Sequence, residues 1–257
     1  MGSKVVLLSG GIDSSTLLAA AVDNVGYDNV TALTLFYGQK HAKELESAKA
    51  IADFYGVKHL VKDLAGVFDL SDSALLQASD NQVPTGSYAD AQTREADGMS
   101  KTYVPYRNGL FLSYAAAIAY SVGAEHVYYG AHADDAAGNA YPDCSSVFYE
   151  AQNRAIWEGT GKKVALVAPL ISMNKAEVVK WGLKLGVPYE LTWSCYEGGE
   201  LACGQCGTCV DRRLAFLANG VVDPIKYAKL LPATEGVRQA LLQLGLDPDE
   251  HLENIPY

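Results

Sequence analysis

Ser9-Gly10-Gly11-Ile12-Asp13-Ser14-Ser15, set directly after the apolar run Val5-Val6-Leu7-Leu8, decides the fold of this chain. A short β-branched and leucine run that stops at Ser-Gly-Gly reads as a buried strand meeting a tight turn. Ser14 to Val22 (SSTLLAAAV) then reads as a helix, with Asp13 and Ser14 as its caps. Such a turn presents unpaired backbone N–H groups at the positive end of a helix, a seat for phosphate. Gly10 and Gly11 let the backbone approach phosphate oxygens with no Cβ between. Ser9, Ser14 and Ser15 add hydroxyl donors, and Asp13 serves either as a cap or in placing Mg²⁺. An ordinary capped strand-to-helix turn is the plainer alternative. A Walker A loop is excluded, because Gly159-Thr160-Gly161-Lys162-Lys163 lacks its first glycine and has Lys163 where Ser or Thr belongs.

Working outward, strand and helix patterns alternate. Lys4–Leu8 leads into a helix to about Val25, and Val30–Phe36 into a helix from about His41 to Tyr55. In the second helix Ala42, Leu45, Ala48, Ile51, Ala52 and Tyr55 recur at three- and four-residue steps, giving one apolar face. Val57–Val61, Glu125–Gly130 and Lys163–Ala168 complete five strands. Leu110–Val122 reads as a buried helix, too short and too polar to span a membrane. Asn174–Leu185 is the last helix of the pattern, with Asn174 and Glu177 at capping-box spacing. Alternation of this kind gives an α/β fold, a doubly wound and mainly parallel sheet of Rossmann type, with ligands at the C-terminal ends of the strands. Between residues 64 and 103 the pattern fails. A loop this long inside a compact domain is a lid, a substrate-binding insertion or an indifferent surface excursion.

The chain has 257 residues and a net charge of −10, enough for one sizeable domain plus a small lobe. The division expected is 1–188 for the α/β part and 189–257 for a lobe with a C-terminal extension. An acidic balance argues against an extended nucleic-acid footprint. With no signal-peptide or membrane-spanning pattern, a cytoplasmic location is expected.

Four of the five cysteines, Cys195, Cys203, Cys206 and Cys209, fall in the spacing C-x₇-C-x₂-C-x₂-C. In a cytosolic chain this clustering reads as metal ligation. Four thiolates suit a closed, structural tetrahedral Zn²⁺, with an iron–sulfur cluster and free thiols as alternatives. Cys144 stands apart and by default is a small core residue.

SGGIDSS resembles the pyrophosphate-binding loop (SGGxDS) of the ATP pyrophosphatase superfamily, whose members split ATP into AMP and pyrophosphate. YGQKHAKE from Tyr37, Val104-Pro105-Tyr106-Arg107-Asn108, YPDC ending at Cys144, and LTWSCY leading into CGQCGTC narrow the likeness. Together they resemble the 7-cyano-7-deazaguanine synthase family over nearly the whole chain. The resemblance implies a sheet of the adenine nucleotide alpha hydrolase type with a small zinc-binding C-terminal lobe. It also implies the reaction: 7-carboxy-7-deazaguanine, ammonia and two ATP give the nitrile, two AMP and two pyrophosphates, with Mg²⁺ assisting. Leu8, Ser9, Gly10, Gly11, Ile12, Asp13, Ser14, Ser15, Thr16, Leu17 and Leu18 would line the ATP site.

Asp13, Arg107 and Lys175 are the candidate catalytic residues. Lys175 stands at the first turn of a helix, to reach the triphosphate; otherwise it is a solvated surface lysine. Arg107 holds a phosphate or the substrate carboxylate, or is a surface residue at a helix start. Tyr37, Gln39, His41 and Glu44 belong to the same expected pocket. His132, Asp134 and Asp135 bind Mg²⁺, move protons, or form an exposed acidic loop. A homodimer is implied, with no nucleic-acid or membrane partner. The stretch Ala133 to Ala140 departs from the commonest family pattern, and Tyr106 and Gly109 alter the usual GRN-type segment. A tRNA-modifying adenylating enzyme and a non-catalytic zinc-containing interaction module are the competing readings.

Overall fold

The computed structural model describes residues 2–253. Five parallel strands, β1 (Lys4–Leu7), β2 (Val30–Phe36), β3 (Lys58–Asp63), β4 (His126–Tyr128) and β5 (Ala165–Val167), lie in the order β3-β2-β1-β4-β5. The helices are α1 (Ile12–Val25), α2 (Lys43–Tyr55), α3 (Arg107–Val122), the short α4 (Ala133–Ala136), α5 (Ser146–Gly159), α6 (Lys175–Lys184), α7 (Gly207–Ala218), α8 (Glu235–Gln243) and α9 (Pro248–Glu253). None of them is long and apolar enough to cross a membrane.

Both faces of the sheet are covered, as side chains alternate along each strand. Val6, Leu8 and Ala32 pack against Leu17 and Leu18 of α1, Val178 and Val179 of α6, and Phe216 of α7. Val5 and Leu33 pack on the other side against Leu112, Ala115 and Ala119 of α3 and Ile156 of α5. Since β1 is the strand from which the order runs both ways, the loops after β1 and β4 open at the switch point of the sheet. Ligands of doubly wound sheets bind in that crevice.

Two local expectations are corrected. Asp13 and Ser14 are not caps: α1 begins at Ile12, with Gly11 in the extended N-cap conformation and no side-chain cap. The reason lies in other partners, since Ser14 Oγ bonds to Ser9 and Asp13 to Lys175. α2 starts at Lys43, not His41, whose ring lies where a Cβ on Gly198 would stand. The Asn174–Glu177 capping box is present, with both reciprocal bonds at 2.9 Å.

Residues 64–103 are mostly turns, yet they are tied down rather than loose. Ser87, Asp90, Thr93, Ser100 and Thr102 are buried, and Gly86 N donates to Gln205 O at 2.9 Å, beside the cysteine segment. The chain after α6 returns to the sheet through α7, whose far side holds Val210 against Leu231, Val237 and Leu241. Arg212 is 1 % exposed and forms a two-pronged pair with Asp223, Nε to Oδ2 at 2.7 Å and Nη2 to Oδ1 at 2.9 Å. Thr192 Oγ1 and Tyr189 O accept from the same guanidinium. Asp223→Ala strands that buried cation, and a loss of about 3–5 kcal/mol in chemical denaturation is expected.

Candidate active site

The Ser9–Ser15 loop closes on itself through hydroxyls. Ser9 N donates to Ser14 Oγ (3.1 Å), Gly11 N to Ser9 Oγ (3.3 Å), and the two serine hydroxyls stand 3.0 Å apart. Gly10 has φ +83°, and a Cβ there would stand 2.6 Å from Ala48 N and 2.7 Å from Glu44 O. Only glycine lets the loop lie this close to α2. The first amides of α1 have no intrahelical acceptor. Ser15 Oγ and Asp13 Oδ1 are buried with no hydrogen-bond partner. Unspent donors at a helix N-terminus, with one carboxylate oxygen in reserve, fit a phosphate and its cation.

That loop opens onto a cavity of about 250 Å³ at the C-terminal ends of β1, β2 and β4. Leu8, Ser9, Gly11, Asp13, Ser14, Arg107 and Lys175 line it. Of the other loop and helix residues expected there, Ile12, Leu17 and Leu18 are fully buried in the core beneath. Thr16 Oγ1 is likewise turned inward, to Ile12 O and Tyr189 OH. A helix can offer only one face to a cavity, so the run 8–18 divides between the site and the core.

Lys175 is no surface lysine. Its ammonium donates to Asp13 Oδ2 at 2.6 Å and lies 3.2 Å from His132 Nε2. His132 is 1 % exposed, and its Nε2 is also 3.2 Å from Asp135 Oδ1. Asp134, exposed, accepts from Lys175 N at 2.7 Å and fixes the start of α6. Burial works to raise the Asp13 carboxyl, but the Lys175 and His132 charges hold it below its usual range. Burial works to lower the Lys175 ammonium, and Asp13 and Asp135 keep it above its ordinary value. Burial pushes two further cavity carboxyls, Glu44 and Asp211, up to about 7, against the opposing pull of Arg107 and Lys175 respectively.

Arg107 occupies another wall. It lies 5.3 Å from the Tyr37 ring centre and donates from Nη1 to Tyr37 OH at 3.3 Å. Its Nε is buried without an acceptor, a donor kept for an anion. Burial works to lower its pKa, but Tyr37 and Asp143 keep it above the ordinary arginine value, so it stays charged. Beside it Asn108 donates from N to Asp143 Oδ2 (2.9 Å) and from Nδ2 to Cys144 Sγ (3.3 Å). Cys144 is buried in the core and also lines the cavity, and burial pushes its thiol well up. Tyr88, Tyr196, Trp193 and Asp211 complete the walls. Trp193 and Tyr196 stand in the LTWSCY stretch without an assigned role, and Tyr88 and Asp211 carry no motif spacing of their own.

The sulfurs of Cys195, Cys203, Cys206 and Cys209 all lie within 4.8 Å of one another. Among the described residues this is the one cluster of three or more His, Cys, Asp or Glu that converges so. Cys203 Sγ and Cys209 Sγ are 3.8 Å apart, and four sulfurs about 2.3 Å from a tetrahedral ion stand about 3.8 Å apart. Backbone N–H groups of Glu197 and Cys203 point at Cys195 Sγ, and those of Gln205 and Cys206 at Cys203 Sγ. That donor set fits thiolates around one ion. The cluster also touches the cavity: Trp193 N donates to Gly10 O at 2.9 Å and Thr208 Oγ1 to Ser194 O at 2.7 Å.

Compared with known families, residues 3–220 match the model described as queuosine biosynthesis protein QueC. This chain belongs to the QueC family. Two relatives named 7-cyano-7-deazaguanine synthase share 48% identity with it. The one from Archaeoglobus fulgidus aligns over 86% of this chain and 88% of its own, and that from Caldicellulosiruptor saccharolyticus over 87% and 94%. A solved NMN synthetase from Francisella tularensis overlaps at a TM-score of 0.48 with 15% identity, covering 100% of this chain and 88% of its own.

The departures from the QueC pattern now have physical reasons. Tyr106 takes a left-handed φ of +54°, and its ring lies where a Cβ on Gly109 would come within 2.4 Å. The bulky residue at 106 therefore requires the glycine at 109. Tyr106 faces Phe148 edge-on (5.9 Å) and is not a cavity residue. The carbonyls of Ala137 and Gly138 accept from the Arg94 guanidinium at 3.2 and 3.0 Å. Among the described residues, none of 136–140 lines the cavity, whereas Asp135, Tyr141 and Cys144 do.

Proposed function

We propose that this enzyme converts 7-carboxy-7-deazaguanine and ammonia to 7-cyano-7-deazaguanine, consuming two ATP and releasing two AMP and two pyrophosphates. The observation that carries the reading is the Asp13–Lys175 pair beside the unspent donors of the Ser9–Ser15 loop, in one cavity with Arg107. The relatives' name, 7-cyano-7-deazaguanine synthase, agrees with it.

A carboxylate oxygen is a poor leaving group. Its attack on the α-phosphorus of ATP expels pyrophosphate and makes an acyl adenylate, from which ammonia displaces AMP to leave an amide. The amide oxygen repeats the attack on a second ATP. Loss of AMP and of the nitrogen's protons then leaves C≡N. Charge gathers on pyrophosphate in both activations, and the loop amides, the serine hydroxyls and Lys175 are preorganised to receive it. Asp13 aims the Lys175 ammonium and, through its unpartnered Oδ1, suits Mg²⁺. Arg107, at the other wall, holds the acid. Of the departures from the family pattern at 106, 109 and 133–140, Asp135 alone lines the cavity, beside His132 and Lys175 and away from the Arg107 wall, which supports the family's own acid as substrate.

The cysteine quartet holds one structural Zn²⁺. A four-iron cluster would bind each sulfur to a different iron and spread them further apart. The reading takes the enzyme as a cytoplasmic homodimer, with the nucleotide chemistry in 1–188 and the metal lobe in 189–257.

Incubation with ATP, Mg²⁺, ammonium and the acid, followed by mass spectrometry and nucleotide analysis, tests the reading. Loss of both carboxylate oxygens with two AMP per nitrile is expected. Adenylation of another acid or of RNA, with no nitrile, would overturn it.

The cavity carboxyls add a pH dependence. Glu44 and Asp211 hold protons up to about pH 7 when folded, whereas the unfolded chain releases them near the ordinary 4.5 and 3.8. Their share of stability is therefore full below those values and is lost as pH rises through about 7. Each ionisation adds negative charge to the cavity, so ATP binding at pH 8 is expected on the order of tenfold weaker than at pH 6. Calorimetry of Glu44→Gln beside the parent chain isolates the protein's part, and equal slopes would clear Glu44 of it.

A further inference from the structure

Beyond residue 220, outside the stretch that matches the QueC model, the chain reaches back to the inserted segment 64–103. The joint is Asp90. One carboxylate oxygen accepts from Ser87 N (2.7 Å), Ser87 Oγ (3.1 Å) and Thr234 Oγ1 (2.7 Å), and the other from Gly236 N (2.9 Å). Thr234 is the N-cap of α8, so the carboxylate sits at the positive end of that helix. Burial opposes ionisation of Asp90, but these donors hold its carboxyl below the usual range. Close approach is built in at Gly236, where a Cβ would stand 2.2 Å from Ser87 Oγ.

Tyr88 follows Ser87 directly. Its ring lines the cavity, its hydroxyl bonds to Tyr196 OH (2.9 Å), and it meets the Tyr141 ring edge-on at 5.7 Å. Its carbonyl accepts from Arg94 Nε at 2.7 Å. Apart from a short 3₁₀ turn at Ala91–Thr93, no helix or strand of its own segment holds it. Beyond these contacts, its position depends on what Ser87 and Asp90 are fastened to.

We propose that Asp90, Thr234 and Gly236 are positioning residues: the C-terminal segment is a strut that fixes Tyr88 as the aromatic wall for the planar heterocyclic acid. The proposal rests on the substrate reading above. An aromatic wall ordered before binding spares the ligand the loss of loop and side-chain freedom, so the strut sets affinity for the acid and not for ATP.

Thr234→Val removes the hydroxyl at nearly constant shape, Gly236→Ala pushes a methyl group into Ser87, and Thr234→Ser keeps the hydroxyl. Calorimetric Kd values for 7-carboxy-7-deazaguanine and for ATP, with KM, kcat and the thermal midpoint, are measured for each. Thr234→Val and Gly236→Ala are expected to weaken acid binding and raise its KM about tenfold, with ATP within about twofold. Thr234→Ser is expected to behave as the parent chain does. A lowered thermal midpoint with unchanged acid affinity would overturn the strut's role, as would parallel weakening of acid and ATP. A parent chain that binds ATP but not the acid would overturn the substrate reading, and the strut's role with it.

Discussion

Lys175→Met is expected to slow acid-dependent ATP–pyrophosphate exchange by about 10²–10³-fold, the usual effect of removing one preorganised donor from a developing charge. Methionine keeps the length of the side chain and deletes its charge. Asp13 would then stand in the cavity without the cation that faces it, so the triphosphate would meet its uncompensated charge. The fold should survive, because the Asp13 and Lys175 side chains are 24% and 17% exposed and solvent screens what remains. Lys175→Arg is not expected to restore full activity, since a planar fork cannot take the place of a compact ammonium at 2.6 Å from Asp13 Oδ2. Exchange above about a tenth of the parent rate in Lys175→Met would remove this lysine from the phosphate chemistry.

Cys206→Ser is expected to abolish metal retention and to unfold the lobe around it. The apolar cluster there is small: Cys195, Ala202, Cys206, Cys209 and Tyr227, with Val83, Trp193, Tyr196, Cys203 and Ile225 only partly buried against them. So small a core leaves a bound ion as the expected main source of folding energy, about 10–16 kcal/mol in small zinc domains. The damage should travel. Trp193 N would release Gly10 O, and the Ser9–Ser15 loop would lose the side of its frame formed by Trp193 and Ser194. Elemental analysis should find one zinc per chain and no visible iron–sulfur absorption in the parent. Limited proteolysis should open the lobe in the variant, with ATP affinity falling alongside. A variant that keeps both a protected lobe and full ATP affinity would show that the metal is dispensable for folding.

The sheet was legible because its signals are local. Val30–Phe36 is a strand over the whole stretch that its β-branched and leucine residues mark. Asn174 and Glu177 announce their cap within four residues. The turn at Ser9–Ser15 and the convergence of the cysteine quartet were legible for the same reason, each being a short string whose geometry depends on spacing. What escaped is what depends on assembly. α5 is a polar-looking stretch that buries only Gln152 and Ile156, although a crossover between β4 and β5 demands a helix there. Tyr88 and Asp211 reach the cavity from segments far away in the chain, and nothing in SYAD or VDRR distinguishes them from surface residues. The run Leu8 to Leu18 misled in the opposite sense. A motif is contiguous in sequence, but a helix turns half of it into the core, as Leu17 and Leu18 show.

Arg94 holds the stretch around Ala137 and Gly138 by gripping carbonyl oxygens, which every amino acid carries. Such a grip is blind to the letters beneath it. The exposed Ala137 side chain can change without loosening it, whereas the left-handed Gly138 and Asn139 and the buried Ala140 are held to their residue types, and a single change at Arg94 would release both carbonyls. The backbone of that loop is thus secured from outside it, by a residue of the 64–103 segment.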